Sequence, residues 1–348
     1  MTVFGRYLGY RLKQGTLRSA VFTLISLVIT ISVVEECNTY REVMFRETGI
    51  YILAIIMGVF CTLMPFLELS GFKNRRNLDT LYFFPIKRSH MALAHYLSGA
   101  IQAVFIYSVC FLAAWVMLVL NTNYFALGYM WLYYLLSVLV GLMIYSIMSF
   151  IFMQANSVVD GAIFCGLWAF VLYLALWVVR VYFLRSFLIE TEYWAESADF
   201  SPWGIVYAPI NNLTVIFQDI IEVNRHAHPY DYTDAYAARY LKEMYMFFIW
   251  GALGIAAAVG YFMTFAKKSA HKAGEISDSW FGYRTLIPAY GYMLILTVRS
   301  VDILSFIIIA LMVLGYAIYR RSFKLKKSDI AFIAGSIIPI IMVGILSN

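Results

Sequence analysis

The stretch LGYMWLYYLLSVLVGLMIYSIMSFIFM, Leu127 to Met153, runs for 27 residues without a charge. About 20 apolar residues in a helix cross the hydrocarbon of a bilayer, because about 30 Å is covered at 1.5 Å per residue. Runs of the same kind recur at roughly 18–35, 49–69, 91–119, 161–184 and 243–266. The composition agrees: of 348 residues 62% are hydrophobic and 13% charged, and the mean hydropathy is +0.76. A soluble domain carries about 45–50% apolar and about 25% charged residues. A single aqueous core cannot hide this much apolar surface. A soluble enzyme, a disordered chain and a nucleic-acid-binding module are therefore excluded. The net charge of +6 and the pI near 9.0 do not bring nucleic acid back, since membrane proteins gather Lys and Arg on one side. The 27 Tyr, 27 Phe and 8 Trp suit a chain that crosses two aromatic belts. Cys37, Cys61, Cys110 and Cys165 are scattered and form neither a CxxC nor a disulfide framework.

The two ends need separate readings. In residues 1–17, Phe4, Leu8 and Leu12 share a helical face while Arg6, Arg11 and Lys13 supply charge. That pattern predicts an interfacial helix at the cytoplasmic surface. A cleavable signal peptide is disfavoured, because no A-x-A-like site follows the first apolar run. Toward the C-terminus, 303–319 and 330–346 are short apolar runs, and 284–298 is shorter still and holds Pro288 and Gly291. Lys267, Lys268 and Lys272 mark one basic loop, and Arg320, Arg321, Lys324, Lys326 and Lys327 mark another. Two consecutive cytoplasmic loops need an even number of crossings between them, so 284–298 and 303–319 should pair as a hairpin. The expectation is nine spans.

With the N-terminus inside, 18 of the 26 Lys and Arg fall on the cytoplasmic side and 14 of the 20 acidic residues outside. The inverted arrangement would oppose the positive-inside bias. One outer segment, 187–242, is long; in it Ile210, Leu213, Phe217, Ile220 and Ile221 repeat at helical spacing after Pro209. It reads as a short amphipathic helix against the outer ends of the spans.

Catalytic signatures are missing. There is no GxxxxGK[ST], HExxH or GxSxG. His226 and His228 form the one close histidine pair, read as solvated surface residues, and Asn212-Leu-Thr214 is a glycosylation tripeptide that arises readily by chance. Within the spans, Glu68 lies near a cytoplasmic end and Arg180 near an outer end, and both are read as snorkelling to the interface. Asp160 opens the fifth span, where a carboxylate suits a helix N-terminus.

The segment from Ser70 to His90 carries the most information. Leu78, Leu81 and Tyr82 fall on one helical face and Lys73, Arg75, Arg76 and Asp79 on the other, and Pro85 ends the helix. Such a helix offers grease and charge to a cytosolic protein; a basic loop on anionic headgroups is the alternative.

The run Asn77-Leu-Asp-Thr-Leu-Tyr-Phe-Phe-Pro-Ile-Lys-Arg-Ser89, followed by His95-Tyr-Leu-Ser-Gly99, resembles the membrane subunit of ABC-2 type exporters. Those permeases carry a "leu-asp-x-leu…leu-pro-ile-x-arg" stretch between the second and third spans and a "lys-x-leu-ser-gly" opening the third; here His95 stands in place of the lysine. Phe265-Ala-Lys-Lys-Ser-Ala-His-Lys-Ala-Gly-Glu275 is similar to the stretch after the family's sixth span. The resemblance covers about 1–280.

It implies an all-α polytopic membrane protein: an interfacial helix (1–17), a six-span permease core (18–266) and a region of about three further spans (267–348). Within the core, 70–90 would be the coupling helix and 187–242 the extracytoplasmic segment. Arg75, Arg76, Asp79, Leu81, Tyr82, Phe83, Pro85 and Arg88 would meet an ATP-binding subunit, and Ile210, Leu213, Phe217 and Ile220 would resemble the outer gate. The chain itself would be no enzyme and hold no cofactor; ATP and Mg would belong to the partner. The family further implies a second permease copy or a paralogue, contact with membrane lipids, and export of a peptide, lipid or amphipathic drug across the cytoplasmic membrane. An intramembrane lipid-modifying enzyme and a receptor acting through its outer loop are the other readings.

Overall fold

The computed structural model describes residues 3–39, 45–83, 85–121, 127–179, 233–268, 272–275, 277, 279–298 and 303–346. Every regular element among them is helical, as the composition predicts. Six described helical stretches are long and apolar enough to cross a membrane: Val3–Val33, Ile52–Lys73, Arg88–Met117, Met130–Gln154, Ile303–Arg320 and Lys327–Ile345. The protein is a multi-pass helical membrane protein.

The chain divides into two compact units. The first contains α1 (Val3–Thr39), α2 (Phe45–Leu69), a 3-10 turn (Ser70–Lys73), α3 (Arg75–Tyr82), α4 (Arg88–Asn121), α5 (Leu127–Gln154, its last residue falling to the second unit) and α7 (Thr233–Lys267). Helix α4 is its centre, and α1, α2 and α7 pack against it. Met57, Cys61 and Met64 of α2, Tyr107 and Phe111 of α4, Tyr145 and Phe152 of α5, and Tyr261 and Phe265 of α7 are buried in its core. Large buried rings need partners for their hydroxyls. Tyr145 donates to the Tyr96 carbonyl at 3.0 Å and Tyr261 to the Ala92 carbonyl at 3.1 Å, each tying a helix to α4.

Two expectations change in this unit. From Val3 onward the interfacial segment and the first span form one unbroken helix of 37 residues. Gly15, near the expected boundary, costs a helix only about 1 kcal/mol relative to Ala, and no proline intervenes. A Cβ there would come within 2.7 Å of Gln102 Nε2, so the glycine serves close packing of α1 on α4. In addition, α7 begins at Thr233, so the last ten residues of the expected outer segment are already helical.

The second unit contains α6 (Val158–Val179), α8 (Tyr283–Val298), α9 (Ile303–Arg320), α10 (Lys327–Gly335) and α11 (Ile337–Leu346). Helix α8 packs against α6, α9 and α11, which fits the expected pairing of 284–298 with 303–319. Asp160 lies in the first turn of α6, as read from the sequence. Tyr283 donates to its Oδ1 at 2.8 Å and the Ser277 amide to its Oδ2 at 3.3 Å. Gly274 holds φ at +79°, open to glycine at little cost, and its amide reaches the Asn156 carbonyl at 2.9 Å. The run 330–346 is not one helix. It breaks at Ser336, because Pro339 has no amide to give the Gly335 carbonyl.

Candidate functional site

The site lies at the end of the first unit that carries its basic residues, where α2 hands over to α3. Asn74 caps α3: its side-chain oxygen accepts the Arg76 amide at 3.1 Å, and its carbonyl accepts the amides of Asn77 and Leu78, each at 3.1 Å. This is the ordinary use of an asparagine before a helix. Leu78 is buried in the unit, whereas Phe83, just after the helix, is 89% exposed. Pro85 and Arg88 are exposed, as is Arg76. Asp79, Leu81 and Tyr82 lend backbone to α3, and their side chains lie outside the described ones.

Cations fasten this helix to its surroundings. Lys73 is only 3% exposed. Its Nζ donates to the carbonyls of Phe152, at 2.8 Å, and Met153, at 3.4 Å, in the last turn of α5. It also stands 5.1 Å above the Phe152 ring. Lys268 Nζ donates to the same Met153 carbonyl. Carbonyls at a helix C-terminus lack intrahelical partners and carry the negative end of the dipole, so two ammonium groups satisfy them. Burial pushes the Lys268 ammonium down to about 8. Arg75 Nε reaches the Ala273 carbonyl at 2.8 Å, tying α3 to the chain after α7. Arg88 approaches the Lys268 carbonyl at 3.4 Å.

Two residues before the 3-10 segment lies Glu68, and here the snorkelling expectation fails. Glu68 is 2% exposed. Arg11 pairs with its Oε2 at 2.9 Å, and Arg18 pairs with Oε1. Gln102 Nε2 donates to Oε1 at 3.1 Å and to Ser98 Oγ at 3.0 Å, and Gln102 accepts from Arg18 at 2.7 Å and Ser19 at 2.9 Å. His95 stands 3.7 Å from the Glu68 carboxylate, with its Nδ1 3.1 Å from the Glu68 carbonyl. Its other nitrogen meets the Tyr7 hydroxyl at 3.0 Å. A carboxylate inside apolar packing is held by paired cations rather than reaching for water. The network joins α1, α2 and α4.

Gly99 explains how the helices come so close. A Cβ there would meet the Tyr145 hydroxyl and would lie 3.1 Å from Glu68 Cγ. Gly99→Ala should therefore destabilise the protein by about 1–3 kcal/mol, the usual cost of overpacking. Thermal unfolding of the detergent-purified chain measures it. An unchanged transition would show that the contact yields without cost.

Arg180, His226, His228, Asn212 and the gate residues Ile210, Leu213, Phe217 and Ile220 lie outside the described residues. Among the described residues no three His, Cys, Asp or Glu side chains gather as metal ligands would.

The long apolar helices, with a capped, cation-fastened helix between the second and third of them, make this a multi-pass membrane protein. Residues 39–208, just under half of the chain, match the family model of the ABC-2 family transporter proteins, which supports an ABC-2 type permease. No curated protein matches the chain.

Proposed function

We propose that this chain is the membrane subunit of an ATP-driven exporter and that α3 is its coupling helix. The observation that carries the reading is α3 itself: fixed at its start through Lys73 and Arg75, it leaves Phe83 89% exposed in a segment whose Arg76 and Arg88 are exposed as well. An exposed aromatic next to arginine is the composition of a protein interface. In this reading Asp79, Leu81 and Tyr82 complete the contact with a separate P-loop subunit, which brings ATP and Mg, and Pro85 ends the helix. Ile210, Leu213, Phe217 and Ile220 form the outer gate, and two copies or a copy and a paralogue enclose the path. The cargo is a peptide, a lipid or an amphipathic drug. The chain sits in the cytoplasmic membrane with its N-terminus on the cytoplasmic side.

Co-expression with a candidate P-loop ATP-binding chain from the same genome tests this. The two should co-purify and hydrolyse ATP together, while the single chain hydrolyses none. Mg-dependent hydrolysis by the single chain would sink the proposal.

Orientation has its own measurement. With the native cysteines removed, an impermeant maleimide should label Asp199→Cys in intact cells and leave Asn74→Cys unlabelled. Labelling at position 74 overturns the topology.

A further inference from the structure

We propose that one end of the second unit, formed by the segments 279–284 and 319–327, is a binding site for the anionic phospholipids of the bilayer around it. This goes beyond the coupling reading and stands independently of it.

The two segments adjoin. The rings of Tyr283 and Tyr319 lie 5.6 Å apart, and the Tyr316 hydroxyl donates to the Arg284 carbonyl at 3.1 Å. Of the cations gathered there, Arg320 is committed: it forks onto Asp329 at 3.0 and 3.1 Å, and Asp329 is fully buried. That pair consumes the acid nearest the loop. Arg321, Lys324, Lys326 and Lys327 are exposed.

Aromatic side chains accompany them. Phe323 is 86% exposed and Trp280 58%, with the Arg284 guanidinium 5.2 Å from the Trp280 ring. Exposed rings among cations suit the headgroup layer, where apolar faces meet fatty chains and charges meet phosphate.

The helix leading into the loop sets its depth. Helix α9 exposes Ile307, Leu311, Leu314 and Ile318 along one face, an apolar stripe suited to lipid. Ile318 lies one turn before Arg321, so the cations begin where the greasy face stops.

The backbone supplies a separate observation. Arg321 holds φ at +52°, a conformation that favours glycine, while closing α9: its amide reaches the Ile318 carbonyl and the Ser322 amide reaches the Ala317 carbonyl, both at 3.1 Å. Glycine would make this turn without strain. An arginine here gives a cation at the rim instead.

The test uses the full chain in nanodiscs of phosphatidylcholine alone or with about one-third phosphatidylglycerol. Phe323→Cys, in a background lacking the native cysteines, carries an environment-sensitive fluorophore. Its emission should shift to the blue, and doxyl-labelled lipid should quench it, in the anionic discs without any other protein. Each cation near an anionic surface contributes about fivefold. Changing Arg321, Lys324, Lys326 and Lys327 to Gln should therefore reduce the preference for phosphatidylglycerol at least tenfold. Arg321→Gly is the companion that protects against misfolding: it keeps the turn, should not lower the unfolding temperature, and should still reduce the preference about fivefold. Equal insertion into both kinds of disc would overturn the proposal. So would a fluorophore that stays in water until a P-loop partner is added, which would make the surface a protein contact.

Discussion

Replacing Glu68 with leucine is expected to destabilise the first unit by about 3 kcal/mol. Breaking a buried ion pair from one side costs about 3–5 kcal/mol, because the remaining charge stays desolvated. Here two guanidiniums would be stranded, but Arg11 and Arg18 keep 15% and 27% of their side chains exposed, which places the loss at the low end. Gln102 and His95 would each lose a partner as well. Glu68→Gln should cost less, since an amide oxygen still accepts one arginine. The soluble fraction left after heating, read by size exclusion in detergent, reports both. Leucine and wild type unfolding at the same temperature would mean that the network contributes nothing to folding.

The second large effect concerns Phe83. The side chain is 89% exposed, so Phe83→Asp should leave the isolated chain within about 0.5 kcal/mol of wild type. In complex with a P-loop subunit the same change puts an unpaired charge into a buried contact, at about 2–5 kcal/mol. That corresponds to about 30-fold to several-thousand-fold in affinity. Changing Leu81 and Tyr82 together to Asp should act in the same sense. If the helix rests on lipid headgroups instead, neutralising Arg76, Lys87 and Arg88 would do more harm than Phe83→Asp. Undiminished association of the Phe83 variant with its ATPase would end the coupling proposal.

Much of the fold was legible because hydrocarbon thickness makes a simple demand on sequence. Leu127–Met153 answers it without a charge, and α5 follows it within a residue. The break in the last apolar run was also written, in Pro339, but hydropathy does not weigh a missing amide. The fusion of 1–17 with the first span was hidden by Arg6, Arg11 and Lys13. These charges look like an interface when read along one helix alone, whereas Arg11 turns toward a carboxylate 57 residues away. A trace of that network was visible. Arg11 and Arg18 lie two turns apart, and His95, Ser98 and Gln102 form a polar stripe at helical spacing on an otherwise apolar helix. What the stripe lacked was a partner, because sequence spacing reports the face of one helix and never which helix it meets. The same holds for Lys73, read as part of a charged face offered to a cytosolic protein but turned inward onto the end of α5. Leu78 shows the reverse, an apolar residue assigned to a docking face that the unit keeps for itself.

The unbroken length of α1 has a consequence for where a cytosolic partner would be met. Its 37 residues extend about 55 Å, and the hydrocarbon is about 30 Å thick. Lying wholly within that layer would require a tilt near 57°, beyond the range of about 0–40° that membrane helices adopt. At an ordinary tilt of about 20° roughly 23 Å of helix stands clear of the hydrocarbon. Helix α4, 34 residues long, runs beside it, with Phe4 against His90 at 5.9 Å and Tyr7 against His95 at 5.9 Å. The two together make a stalk, tied to α2 through Glu68, and α3 follows α2 through the 3-10 turn. Docking would then take place above the headgroups, on a pedestal whose height is set by helix length.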